Sequence, residues 1–143
     1  MFVTIAWLLL MQPPASPELM DDPRVLSFCR VLARNAIAVR DREHGAFVVR
    51  SAEGILYFVA WPPSGEKDVL RWHGRFPDGT IAILHTHAAW QPDASKVDRR
   101  TALGKRIPVY VITPFQISRT DGGPSEVVRK GEWLTATATH HQQ

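Results

Sequence analysis

The sequence predicts one α+β domain with a mixed, mostly antiparallel sheet flanked by two helices. Three observations lead there. The 143 residues are enough for one domain with a real hydrophobic core and too few for two. Short β-branched runs are punctuated by Gly, Pro and Asp clusters, as meandering strands are. The order of elements is helix, strands, helix, strands, rather than a strict alternation of strand and helix.

The elements follow in order. Asp22-Pro23 is a helix start, with aspartate as cap and proline at the first helical position. Val25, Phe28, Cys29, Leu32, Ala36 and Ile37 then recur at helical spacing, so the first helix covers about 23–39. Past the charged link Arg40-Asp41-Arg42-Glu43, GAFVV is a short strand, Ser51-Ala52-Glu53-Gly54 a turn, and 55–61 the returning strand. Pro62-Pro63-Ser64-Gly65 breaks it. Val69, Leu70 and Trp72 suggest another short strand, and Pro77-Asp78-Gly79 is a strong turn signal. Residues 81–87 form an inner strand. After a loop, Ser95 caps a helix over 96–105 that ends near Gly104. Val109 to Ile112 is a buried strand stopped by Thr113-Pro114, and 115–118 with 126–129 make a terminal hairpin.

Composition removes several function classes. Apolar content of 45% and charged content of 22% are those of an ordinary globular chain. The formal charge of +3 is small, and its densest group, Arg99, Arg100, Lys105 and Arg106, reads as the wet face of a helix. No aromatics interleave with it, so no nucleic-acid partner is expected. The single cysteine, Cys29, excludes an internal disulfide and a cysteine-rich zinc site, and its apolar neighbours make it a buried thiol. Residues 2–11 are almost wholly apolar and end at Pro13-Pro14-Ala15-Ser16. Ten residues fall short of the roughly 20 needed to span a bilayer, so no stable membrane insertion is expected. The run reads either as a signal peptide or disordered lead over 1–15, with the domain over 16–143, or as a packed N-terminal element. Location stays open between cytoplasmic and exported, with cytoplasmic favoured.

Residues 85–98, HTHAAWQPDASKVD, carry the chemistry. On a strand, the two-residue period points His85 and His87 to the same side. If Ser95 opens a helix, Asp98 sits in its first turn. Two imidazoles and one carboxylate leave a position for water in a tetrahedral zinc site, which hydrolysis needs. The competing reading is a plain His-x-His pair, a serine helix cap and no metal. Asp93 is the nearby carboxylate able to orient a ligating histidine. His44, His73, and the tail pair His140 and His141 have no assigned role.

The spacing His-x-His, seven residues, Ser, two residues, Asp resembles the signature of the JAMM zinc metalloproteases, the JAB/MPN superfamily. HTH and the later VITPF look most like small bacterial JAB-type domains. The similarity covers about 22–120 and implies a single JAB/MPN-like domain with cytidine-deaminase-like layering. It implies zinc as cofactor, His85, His87 and Asp98 as ligands, and Glu43 of REHGAFVV as general base. It also implies Ser95 as the donor to the tetrahedral oxyanion. Two departures stand out. Ala88 replaces the proline that often follows the second histidine, and Glu43-His44-Gly45 is tighter than the usual glutamate-to-glycine spacing. Glu53 and Glu66 are therefore the alternative bases. The cap and oxyanion roles compete for the one Ser95 hydroxyl. The implied activity is cleavage of a peptide or isopeptide bond in a peptide or protein substrate. The alternatives are a metal-free binding or scaffold module of the same fold, and a zinc amidase on a cell-wall or small-molecule substrate. Oligomeric state is not legible.

Overall fold

Alternation in the inner strands sorts the side chains onto two sides of one sheet. The computed structural model describes residues 18–39, 42–62, 72–87 and 90–135. A 3₁₀ turn (Leu19–Asp21) leads into α1 (Pro23–Ala38), then β1 (Gly45–Arg50), β2 (Leu56–Ala60) and β3 (Thr80–Thr86). There follow α2 (Lys96–Lys105), β4 (Val109–Ile112), β5 (Gln116–Thr120) and β6 (Glu126–Lys130). The strands lie in the order β2-β1-β3-β4-β5-β6. Neighbours are antiparallel except β3 and β4, which run parallel and are joined across α2, as a parallel pair requires. The α+β class and the mixed, mostly antiparallel sheet agree with the sequence expectation.

Val48, Ala82, Leu84, Tyr110 and Ile112 share one core with Val25, Cys29, Leu32 and Ala33 of α1. The intervening residues Phe47, Val49, Ile83 and Val109 form the other core with Ala102 of α2. A helix thus covers each face, and every inner-strand residue belongs to one side or the other. Phe47 anchors the α2 side, with the rings of Trp61, Trp72 and Phe76 all within 5.1 Å of its own.

The local signals act as expected in most places. The Asp22 side chain accepts from Arg24 N–H at 2.9 Å, with Pro23 opening α1. Gly79 has φ +82° and packs so closely on the Arg50 carbonyl that a Cβ would collide with it. Only glycine suits that turn. Cys29 is fully buried, and burial pushes its thiol well above the usual range, which removes it as a nucleophile.

Some expectations are corrected. α2 covers 96–105 as expected, but Arg106 rather than Gly104 takes the left-handed conformation that ends it, with φ 55°. His87 lies one residue beyond β3, and Trp72 is outside any strand. Arg99 is not on the wet face: it is half-buried and its Nε has no hydrogen-bond partner, because it flanks the Asp98–Ala102 stripe that faces the sheet. Packing also starts before α1. Met20 is buried, and Glu18 accepts from Tyr110 Oη at 2.7 Å and from Arg119 at 2.9 Å. The apolar run 2–11, Glu66, Val69, Leu70, Ala88, His140 and His141 lie outside the described residues.

Candidate metal centre

Strand register assembles the site. Gly45 pairs with His85, His85 with Val111, and Val111 with Ser118, giving one row across β1, β3, β4 and β5. His85 is odd-numbered like Ile83, so its ring lies on the α2 face. His87 follows two residues on, past the strand end, with its side chain 11% exposed. The two rings meet edge to face at 4.8 Å between centroids. Thr86, between them, points to the opposite face and is fully buried. Its N–H donates to the His44 carbonyl at 2.8 Å, and its Oγ1 accepts from His44 N–H at 2.9 Å. This double link ties the exit of β3 to the entry of β1, where Glu43 precedes His44.

The first turn of α2 brings the carboxylate. Ser95 Oγ accepts from Asp98 N–H at 3.1 Å, while Asp98 Oδ2 accepts from Ser95 N–H at 2.7 Å. Such a capping box holds the third helical residue rigidly against the cap. Asp98 Oδ1 then lies 2.9 Å from His85 Nε2 and Oδ2 lies 3.3 Å from His87 Nε2. Burial pushes the Asp98 carboxyl upward, but the facing imidazoles and the Ser95 N–H outweigh it and hold it well below the usual carboxylate range. Burial likewise pushes His87 down, and its hydrogen bond and attraction to Asp98, with help from the Gln91 carbonyl and the Glu43 charge, carry it above the ordinary value.

Two details suit a cation better than a simple histidine–aspartate pair. His85 Nε2 is buried without a properly directed hydrogen bond, although it is only 2.9 Å from Asp98 Oδ1. The Asp98 contact is short but poorly directed, and short distance alone does not make a hydrogen bond. An orphaned buried nitrogen calls for a ligand. His87 Nδ1 is 2.9 Å from the Gln91 carbonyl. A carbonyl only accepts, so Nδ1 carries the hydrogen; Nε2 donates to Asp98 while the ring is protonated and offers its lone pair to a metal once that proton leaves.

His85, His87 and Asp98 therefore form a buried group able to hold a metal ion, with ligand atoms all within 4.8 Å of one another. Bonds of about 2.0–2.1 Å in a tetrahedron place ligand atoms roughly 3.3 Å apart. The two carboxylate–imidazole separations, 2.9 Å to Oδ1 and 3.3 Å to Oδ2, are near that size, while the set as a whole extends to 4.8 Å.

The other expected residues are distributed unequally. Glu43 is half-buried, and its charge acts on His87. Glu53 sits exposed in the β1–β2 turn, at the far end of β1. Five residues of strand put that turn roughly 17 Å from the Gly45–His85 row. Ser95 is exposed and serves as the α2 cap. A hydroxyl has one hydrogen and two lone pairs, so accepting from Asp98 N–H leaves its hydrogen free, and the two roles expected to compete are compatible. Asp93 is exposed, and the partner of His87 is the Gln91 carbonyl instead. That partner is backbone, which leaves no trace in residue types. His44 Nε2 is buried without a partner, and burial, then Arg42, pushes this imidazole below its ordinary pKa. His73 is exposed.

No family model, no curated protein and no solved structure matches this chain. Among the described residues, no helix is long and apolar enough to cross a membrane.

Proposed function

We propose that this protein is a zinc-dependent hydrolase of the JAMM type, with a JAB/MPN-like fold, that cleaves a peptide or isopeptide bond. The observation that carries the reading is the buried His85–His87–Asp98 group with its orphaned His85 Nε2. Two imidazoles and one carboxylate match the ligand types and number of a catalytic zinc site, which leaves a place for water. When bound, zinc supplies Lewis acidity, polarising an oxygen and making water nucleophilic near neutral pH.

The chain's own residues supply the rest. Asp98 is kept ionised by the two imidazoles and the Ser95 N–H, as a ligand must be. The Glu43 carboxylate accepts the proton of the attacking water and returns it to the departing amine nitrogen. Its entry beside His87, fixed by the His44–Thr86 link, supports that role, which requires reach to the proton without serving as a ligand. Ser95 Oγ–H donates to the oxygen on which negative charge develops, while its lone pair still caps α2. A preorganised donor there contributes a few kcal/mol to the rate.

The test has two steps. Elemental analysis of metal-replete protein is expected to give one zinc per chain, lost in a H85A/D98A double variant. A cleavage screen over peptides, ubiquitin-like fusions and muropeptides, with E43Q as control, then identifies the bond class. No stoichiometric zinc, or zinc retained by the double variant, sinks the proposal.

A further inference from the structure

The chain between His87 and Asp98 is held from strand β5. Ser118 of β5 is 1% exposed, and its Oγ lies 2.7 Å from the Pro92 carbonyl and 2.9 Å from Gln116 Nε2. The carbonyl only accepts, so the one hydroxyl hydrogen goes there, and the Gln116 atom facing Ser118 must be its donor NH₂. Two residues further along the loop, Ala94 N–H donates to Ser125 Oγ at 2.8 Å. Pro92 and Ala94 are thus both fastened on the β5–β6 side.

The same loop supplies two parts of the metal centre. Gln91, next to Pro92, gives the carbonyl that accepts from His87 Nδ1 at 2.9 Å. Ser95, next to Ala94, begins the capping box that fixes Asp98. The carbonyl that orients His87 and the carbonyl that Ser118 holds belong to adjacent residues. They lie in successive peptide planes joined at the Pro92 Cα, where the ring fixes φ, so holding one restricts the other.

We propose that Ser118 is a positioning residue of the metal centre: through the Pro92 carbonyl it sets the Gln91 carbonyl against His87 and keeps Nε2 aimed at the ion. The role rests on the metal-centre reading above. Removing the hydroxyl leaves the half-buried Pro92 carbonyl and Gln116 amide without this partner, and the loop regains freedom. His87 then loses the bond that keeps hydrogen on Nδ1. Direct removal of an outer partner of a metal-ligating histidine lowers affinity about 10- to 100-fold, and Ser118 acts one step further out, so its loss belongs at the lower end.

The full chain tests this in two ways. Nitrogen NMR of the histidine rings in the metal-free protein reads how much hydrogen His87 Nδ1 carries. Competition with a coloured chelator reads zinc affinity. In the parent, Nδ1 is expected to be protonated against the Gln91 carbonyl. S118A should show less Nδ1–H and bind zinc about 10-fold more weakly. Q116A, which removes only the donor to Ser118 and lies at a half-buried position, should move both readouts the same way but less, and remains informative if S118A does not fold. V25A, a cavity in the core on the opposite face of the sheet, should leave both unchanged. Parental Nδ1 protonation and affinity in both S118A and Q116A, or equal weakening by V25A, overturns the role of Ser118. A parent that takes up no zinc overturns the metal-centre reading instead, and the Nδ1 contrast then still decides the anchoring.

Discussion

Replacing Ser95 by alanine and by glycine separates its two roles, because the substitutions differ in what they do to the cap and agree in what they do to the site. The cap bond is the 3.1 Å contact from Asp98 N–H to Ser95 Oγ. Ser95 is exposed, so truncation opens no cavity and the loss is that of the cap alone, about 1 kcal/mol for alanine and a few tenths for glycine. For a chain of this length, 1 kcal/mol lowers the melting temperature by roughly 2–4 °C. Both variants keep the backbone N–H that holds Asp98 Oδ2 at 2.7 Å, so zinc binding should persist in both. Turnover is another matter. If the hydroxyl donates to the developing oxyanion, alanine and glycine delete it equally, and each should slow the chemical step by about 100-fold, or about 2.7 kcal/mol. The assay is a melt and a turnover measurement on the same zinc-loaded sample, with the substrate found by the cleavage screen. Equal loss of turnover with unequal loss of stability is the expected pattern. Turnover that follows stability instead, with S95G close to the parent, refutes the oxyanion role and leaves Ser95 as a helix cap.

E43Q should retain fold and zinc and lose most of its turnover, since it removes only the proton carrier, while E53Q at the far turn should behave as the parent. A fully active E43Q would falsify the assignment of the base. The pH dependence has a definite sign. Asp98 has a lowered pKa, so its contribution to the metal-free protein is present above about pH 4 and lost as pH falls further; His87 has a raised pKa, so its contribution is complete below about pH 6.5 and lost as pH rises through the raised value. Zinc competes with that His87 proton, so the gain in melting temperature on adding zinc should widen between pH 6 and pH 8; a constant or narrowing gain contradicts the proposed ligand set.

Much of the fold is legible where the signal is local. Asp22-Pro23 names the start of α1 because a cap and a fixed φ act within two residues. Pro77-Asp78-Gly79 names its turn because only glycine tolerates the approach to Arg50. What needs distant partners is not legible in the same way. Arg99 is charged and reads as solvated, yet the stripe of α2 that faces the sheet passes beside it. Gly104 reads as a helix stop, but the chain enters the left-handed region two residues later, at Arg106. Ser118 looks like any polar residue in a strand until the loop from His87 is seen to lie against it.

The candidate site divides along the same line, and topology explains why. α2 connects β3 to the parallel strand β4, so its first turn begins close to the carboxyl end of β3. Ligands often gather at that end of parallel strands. A strand-end histidine pair and a first-turn aspartate can meet there across a short loop, and the ligand set therefore falls within 85–98 and reads as a spacing. Glu43 arrives differently. β1 is antiparallel to β3, so its entry lies against the exit of β3, with Gly45 opposite His85. No local periodicity links residues that antiparallel pairing brings together over such a separation. Glu43 could be proposed as base only by resemblance, and the strand register supports the proposal by placing the entry of β1 against the exit of β3.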